Sequence, residues 1–170
     1  MSALPSAVSV YEYLHTVYRP DCDYVDGVLV ERNVGEKDHG SLQQLIWLNL
    51  WLHRKEWNIY PIIDPRVQVA ATRIRVPDVC AMAGPEPGEQ IFTKAPFLCV
   101  EILSPEDRMN RMQERIDDYL RFGVASVWVV DPQTRRAWIY TPGVMREVQD
   151  GVLRTKSPDI QVPLAEVFER

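Results

Sequence analysis

At 170 residues the chain is long enough for one domain with a substantial core, and 46% hydrophobic against 25% charged residues is an ordinary globular balance. A formal charge of −5 argues against a broad, non-specific nucleic-acid binder, though not against a local basic cleft. No run approaches the roughly 20 apolar residues that span a bilayer, and residues 1–10 lack the basic cluster and apolar core of a signal peptide. Cys22, Cys80 and Cys99, odd in number and widely spaced, read as reduced thiols of a cytoplasmic protein rather than a zinc site.

Near-helical spacing of Val8, Tyr11, Leu14 and Val17 or Tyr18 predicts a short amphipathic helix over 6–18, stopped by Pro20. Asp26-Gly27 is a hairpin turn within 24–30. A first long helix is expected over 37–55, with Asp38 as N-cap and an apolar face of Leu42, Leu45, Ile46, Leu48, Trp51 and Leu52. The width of that face, with Trp47 and Trp51, suggests a surface for self-association into a homodimer. Residues 60–63, 66–70, 72–76 and 78–82 read as strands, and 84–90 as a Pro/Gly/Glu loop.

The run from Phe97 to Ser104 reads as a buried central strand. A second long helix spans 106–122 and stops at Gly123, and 126–130 is again β-rich. Strand, helix and strand make a βαβ unit, so the two strands should be parallel, with a right-handed crossover. Residues 131–134 turn into an antiparallel neighbour at 137–140. A further hairpin is expected over 143–153 around Asp150-Gly151, followed by a short apolar-polar segment at 164–168. The pattern is an α/β domain with a mixed sheet.

Side chains alternate along a strand, so Glu101 should share its face with Phe97, Cys99 and Leu103. A carboxylate there is costly unless it is paired, protonated or bound to a cation. Asp78, after Pro77, begins an apolar strand. If the two strands are neighbours, Asp78 and Glu101 can converge, and paired oxygens suit Mg²⁺ or Mn²⁺. Arg108, Arg111 and Arg115 fall on one stripe of the second helix. On spacing alone this is a solvated face, with Asp107 reaching Arg111 and Asp118 reaching Arg115.

Pro77-Asp78, then Glu101-Ile102-Leu103-Ser104-Pro105, then a helix ending in Tyr119 and Gly123-Val124, then Trp128-Val129-Val130-Asp131-Pro132, resembles the bacterial Uma-two family of the PD-(D/E)XK nuclease superfamily. Asp23-Tyr24-Val25-Asp26-Gly27 and His39 also resemble family positions, and the resemblance runs from about Val8 to Phe168. It implies a restriction-endonuclease-like mixed sheet flanked by helices across residues 1–170, with an added N-terminal hairpin and C-terminal strands. It further implies an endonuclease that hydrolyses phosphodiester bonds in nucleic acid, more readily DNA. Asp78 and Glu101 would be catalytic and would hold Mg²⁺ or Mn²⁺. A metal-dependent nuclease on this pair requires the two side chains to lie close, with room for an ion and no guanidinium neutralising Glu101; otherwise only the architecture stands. The superfamily lysine falls on Leu103, and the family's substitute lysine falls on Arg115. Arg115 could steady a phosphate but is a poor general base, because arginine does not lose its proton in proteins. Asp23, His39 and Arg111 are the candidate substrate-binding residues. The alternative is a catalytically degenerate nuclease fold that binds nucleic acid or a protein partner.

Overall fold

The computed structural model describes residues 7–32 and 36–168. Its centre is a six-stranded sheet in the order β10-β9-β8-β7-β6-β3. These strands are β3 (Ile59–Ile63), β6 (Val79–Ala83), β7 (Leu98–Ile102), β8 (Ser126–Asp131), β9 (Arg136–Thr141) and β10 (Val144–Glu147). β7 and β8 pair in parallel through helix α4 (Met109–Phe122), and the other pairings in this sheet are antiparallel. Gly123 ends α4 at φ +113°, a left-handed conformation that a residue with a Cβ adopts at a cost.

All five residues of β7 are buried, as a strand covered on both faces should be. Leu98, Val100 and Ile102 pack with Leu42, Ile46 and Leu50 of helix α2 (Lys37–Leu52) and with the ribbon β11 (Val152–Lys156) and β12 (Asp159–Pro163). Helix α5 (Leu164–Phe168) closes this layer. On the other face Cys99 packs with Met112, Ile116 and Tyr119 of α4 and with Val67 and Val69 of β4 (Val67–Ala70). Each such aliphatic side chain contributes roughly 1.5–3 kcal/mol on burial. Glu101 alternates onto the α4 face with Cys99 and Leu103, whereas Phe97, expected there too, packs in the α2 layer.

A second sheet, β2-β1-β5-β4, joins β1 (Cys22–Val25), β2 (Val28–Glu31), β5 (Arg73–Arg75) and β4. The β1–β2 turn has both Asp26 (φ +49°) and Gly27 (φ +92°) in the left-handed region, the signature of the hairpin turn the Asp-Gly pair predicts. A Cβ on Gly27 would lie 2.8 Å from that of Ala7.

Several boundaries differ from the sequence reading. The first helix, α1, covers only Val10–Leu14, with Ser9 as its N-cap. α2 stops at Leu52, and a single turn, α3 (Arg54–Trp57), follows. Its N-cap is Glu36 rather than Asp38, and Leu48 and Leu52 are exposed. Trp47 and Trp51 stack on one another, and Tyr60 of β3 meets Trp51 edge-on, so the two tryptophans of the expected self-association face also pack within the chain. Asp150-Gly151 is not a hairpin turn. β10 pairs back onto β9, and the dipeptide links that hairpin to the separate β11–β12 ribbon. Among the described residues no helix is long and apolar enough to cross a membrane.

Candidate active site

The register of β6 on β7 pairs Val79 with Val100, so one step further places Asp78 across from Glu101. The Ile102 backbone N–H donates to Asp78 Oδ2 at 2.7 Å, which ties the two strand ends together. Asp78 and Glu101 are 3% and 1% exposed. Bringing two carboxylates to one buried place needs compensating donors, and the surrounding elements supply them.

β1 and β5 bring Asp23 and Arg75 over the sheet. Asp23 Oδ2 accepts from Arg75 Nη1 and from Arg115 Nε, each at 3.0 Å, and Asp23 Oδ1 accepts from the Val76 backbone N–H. α4 presents Arg115 and Tyr119 one turn apart, and both reach Glu101. Arg115 Nη1 donates to Oε2 at 2.8 Å and the Tyr119 hydroxyl donates to Oε1 at 2.6 Å. From the end of β2, Arg32 Nη2 donates to Asp78 Oδ1 at 2.5 Å. From the head of α2, His39 Nε2 lies 3.3 Å from Asp78 Oδ2. One turn on, Gln43 donates to the Asp78 carbonyl and to Asp64 Oδ1.

The charges of these groups follow from this packing. Burial pushes the Glu101 carboxyl up to about 7 against the pull of Arg115, and the Asp78 charge adds to the rise. Burial also opposes ionisation of Asp78, but His39 and Arg32 outweigh it and hold Asp78 below its ordinary value. Asp23 is lowered in the same way, with Arg115 and Arg75 overcoming its desolvation. Burial pulls His39 down, yet its hydrogen bond to Asp78 and the Asp78 charge leave it raised. Arg115 and Arg32 are buried but held fully charged by their carboxylates.

Of the residues expected from sequence, Asp23, His39, Asp78, Glu101 and Arg115 therefore meet in one cluster. Arg111 is one turn before Arg115, exposed on the rim of a cleft of about 150 Å³. Two expected helix pairs are different. Asp107 precedes α4, where its carboxylate accepts the Ser104 N–H. Asp118 binds Arg73 and Arg75 of β5, while Arg115 turns to Asp23 and Glu101. Sequence reading missed Arg32 and Arg75 as members of the cluster. Arg75 carried a signal, because a basic residue in the short strand Arg73-Ile74-Arg75 must find a partner. Arg32, just past a strand end, carried none.

The cleft is lined by five arginines, Arg32, Arg75, Arg108, Arg111 and Arg115, and by five acids, Asp23, Glu31, Glu106, Asp107 and Glu114. Asp78, Glu101 and His39 are not on its wall; they lie beneath the guanidinium groups. This arrangement does not fit a divalent ion. Each oxygen of Asp78 and Glu101 already accepts from a protein donor, and the cationic places beside them are taken by Arg32 and Arg115. Among the described residues no group of three or more His, Cys, Asp and Glu side chains is placed to hold a metal. Two unit charges about 4 Å apart at an effective dielectric of about 20 interact by about 4 kcal/mol, and a dication beside either guanidinium faces about twice that repulsion.

The fold itself is shared with a crystal structure described as "a putative nuclease belonging to DUF820" from Anabaena variabilis. The TM-score is 0.82 at 18% identity, covering 95% of this chain and 97% of that one. No curated protein matches the sequence. Residues 11–165 match the Uma2 family model, described as "Putative restriction endonuclease", and this span includes every residue of the cluster. The chain belongs to the Uma2 family.

Proposed function

We propose that the chain is an endonuclease acting on the phosphodiester backbone of nucleic acid, with DNA the more fitting polymer, at the cleft above Asp23, His39, Asp78, Glu101 and Arg115. One observation carries this reading. Five side chains from β1, α2, β7, α4 and the start of β6 converge under a cleft edged by Arg108 and Arg111, in a chain of the Uma2 family. Arg115 and Arg32 would engage non-bridging phosphate oxygens and offset the charge that develops on them. Arg115 cannot act as the base. Glu101, held near 7 by burial, and His39, oriented by Asp78, are the groups able to exchange a proton near neutral pH. The superfamily resemblance implies dependence on Mg²⁺ or Mn²⁺, which the chelator arm of the plasmid assay reads out.

A second reading is favoured by the lining of the cleft. Five guanidinium groups line it, interleaved with acids, whereas the buried Asp78 and Glu101 are off its wall, as suits a protein that binds nucleic acid without cutting it. Both readings are tested by incubating supercoiled plasmid with the wild type, Asp78→Ala and Glu101→Ala in Mg²⁺, in Mn²⁺ and in chelator, with a gel shift in parallel. Nicking that is lost in both variants supports the endonuclease. Binding without nicking in any condition supports the second reading. Equal nicking by Glu101→Ala would falsify the assignment of Glu101.

A further inference from the structure

Arg32 supplies the guanidinium paired with the Asp78 carboxylate. Its guanidinium contacts Asp78 Oδ1 through Nη2 and Asp64 Oδ1 through Nη1. Only 16% of its side chain is exposed, and that part faces the cleft. Arg115, also 16% exposed, does the same for Glu101 and Asp23. Four buried carboxylates, Asp23, Asp78, Glu101 and Asp118, are thus matched by four guanidinium groups on Arg32, Arg73, Arg75 and Arg115. The four oxygens of Asp78 and Glu101 each have a donor, two of them from these arginines and the others from Ile102 N–H and the Tyr119 hydroxyl. A centre built for a dication would instead leave carboxylate charge unmatched and oxygens turned toward the cleft.

We infer that Arg32 is the resident guanidinium cation of the Asp78 carboxylate and that it excludes a divalent ion from the Asp78–Glu101 pair. Removing Arg32 leaves Asp78 with His39 as its remaining cationic partner, on Oδ2, and an open place beside Oδ1. Arg32→Ala should therefore create a metal site that the natural protein lacks. The inference concerns metal binding and stands apart from whether the chain cuts nucleic acid.

The test is a Mn²⁺ titration followed by electron paramagnetic resonance, on wild type, Arg32→Ala, Arg32→Lys and Arg32→Ala combined with Asp78→Asn. Circular dichroism confirms that each is folded. Wild type and Arg32→Lys are expected to bind no Mn²⁺ at sub-millimolar concentration. Arg32→Ala should gain one site at least tenfold tighter than wild type, and Asp78→Asn should remove it. Should Arg32→Ala not fold, the wild type alone still decides the matter. Its melting temperature must be unchanged by millimolar Mn²⁺ or by chelator. A micromolar Mn²⁺ site in the wild type that Asp78→Asn abolishes overturns the inference, as does an Arg32→Ala protein that is folded and binds no tighter. Plasmid nicking is scored separately, so an inactive protein leaves this result intact.

Discussion

Replacing Glu101 by Gln removes a titration while keeping the shape and an acceptor for Arg115; its amide N–H then faces the Tyr119 hydroxyl, which turns to accept instead of donating. In the folded protein the Glu101 carboxyl is pushed up to about 7, from the 4.5 of an ordinary glutamate. The native state therefore binds this proton more tightly than the unfolded chain does. The stability it contributes is complete below pH 4.5 and is lost as pH rises through 7. At about 1.4 kcal/mol per tenfold change in affinity, the gap amounts to about 3 kcal/mol. In a chain of this length that is roughly 6–12 °C in Tm. His39 is also raised, so its contribution has the same sign, present below 6.5 and lost as pH rises through its folded value. Asp78 and Asp23 are lowered, so they lose their contribution only as pH falls through their folded values, below 3.8. Urea denaturation of wild type and Glu101→Gln should be measured from pH 4.5 to 8.5. The wild type should lose about 3 kcal/mol relative to the variant across that range, most of it between 4.5 and 7, with the His39 slope common to both. Two parallel curves would refute the claim that burial, rather than pairing with Arg115, dominates the state of Glu101.

Three further outcomes follow from the same geometry. Arg75→Ala should destabilise the fold by about 3–5 kcal/mol, since it strips Asp23 and Asp118 of a buried partner, and chemical denaturation will show it. Arg108→Ala and Arg111→Ala should each lower the slope of log affinity against log salt for DNA by about 1 with no change in melting, because both are exposed on the rim. Gly123→Ala should cost about 1 kcal/mol or more, because φ +113° at the end of α4 is strained for any residue with a Cβ; a thermal melt against wild type checks this.

Local patterning already determined much of this molecule. Short apolar runs with β-branched residues marked β7 and β8, period-3.6 spacing marked α4, and Gly123 marked its end. A helix between two buried strands then required the parallel pair. The Asp-Gly turn of β1–β2 followed from the same local chemistry. Asp150-Gly151 misled for the opposite reason, since a turn dipeptide says that the chain bends and not which strands pair afterwards. The likeness of Pro77-Asp78, Glu101 and Tyr119 to the Uma2 pattern brought five of the cluster's residues into view. The partners of those residues were not legible. Asp118 and Arg115 are three apart on α4, yet they serve different groups, because β5 and β1 cross over that helix and offer Arg73, Arg75 and Asp23. Nor could any spacing show that Arg32, 46 residues from Asp78, ends against it. A buried charge needs a counter-charge, and residue types state that need. Which cation meets it depends on long-range strand register and on layers packed across the sheet, and these exist only once the chain has folded.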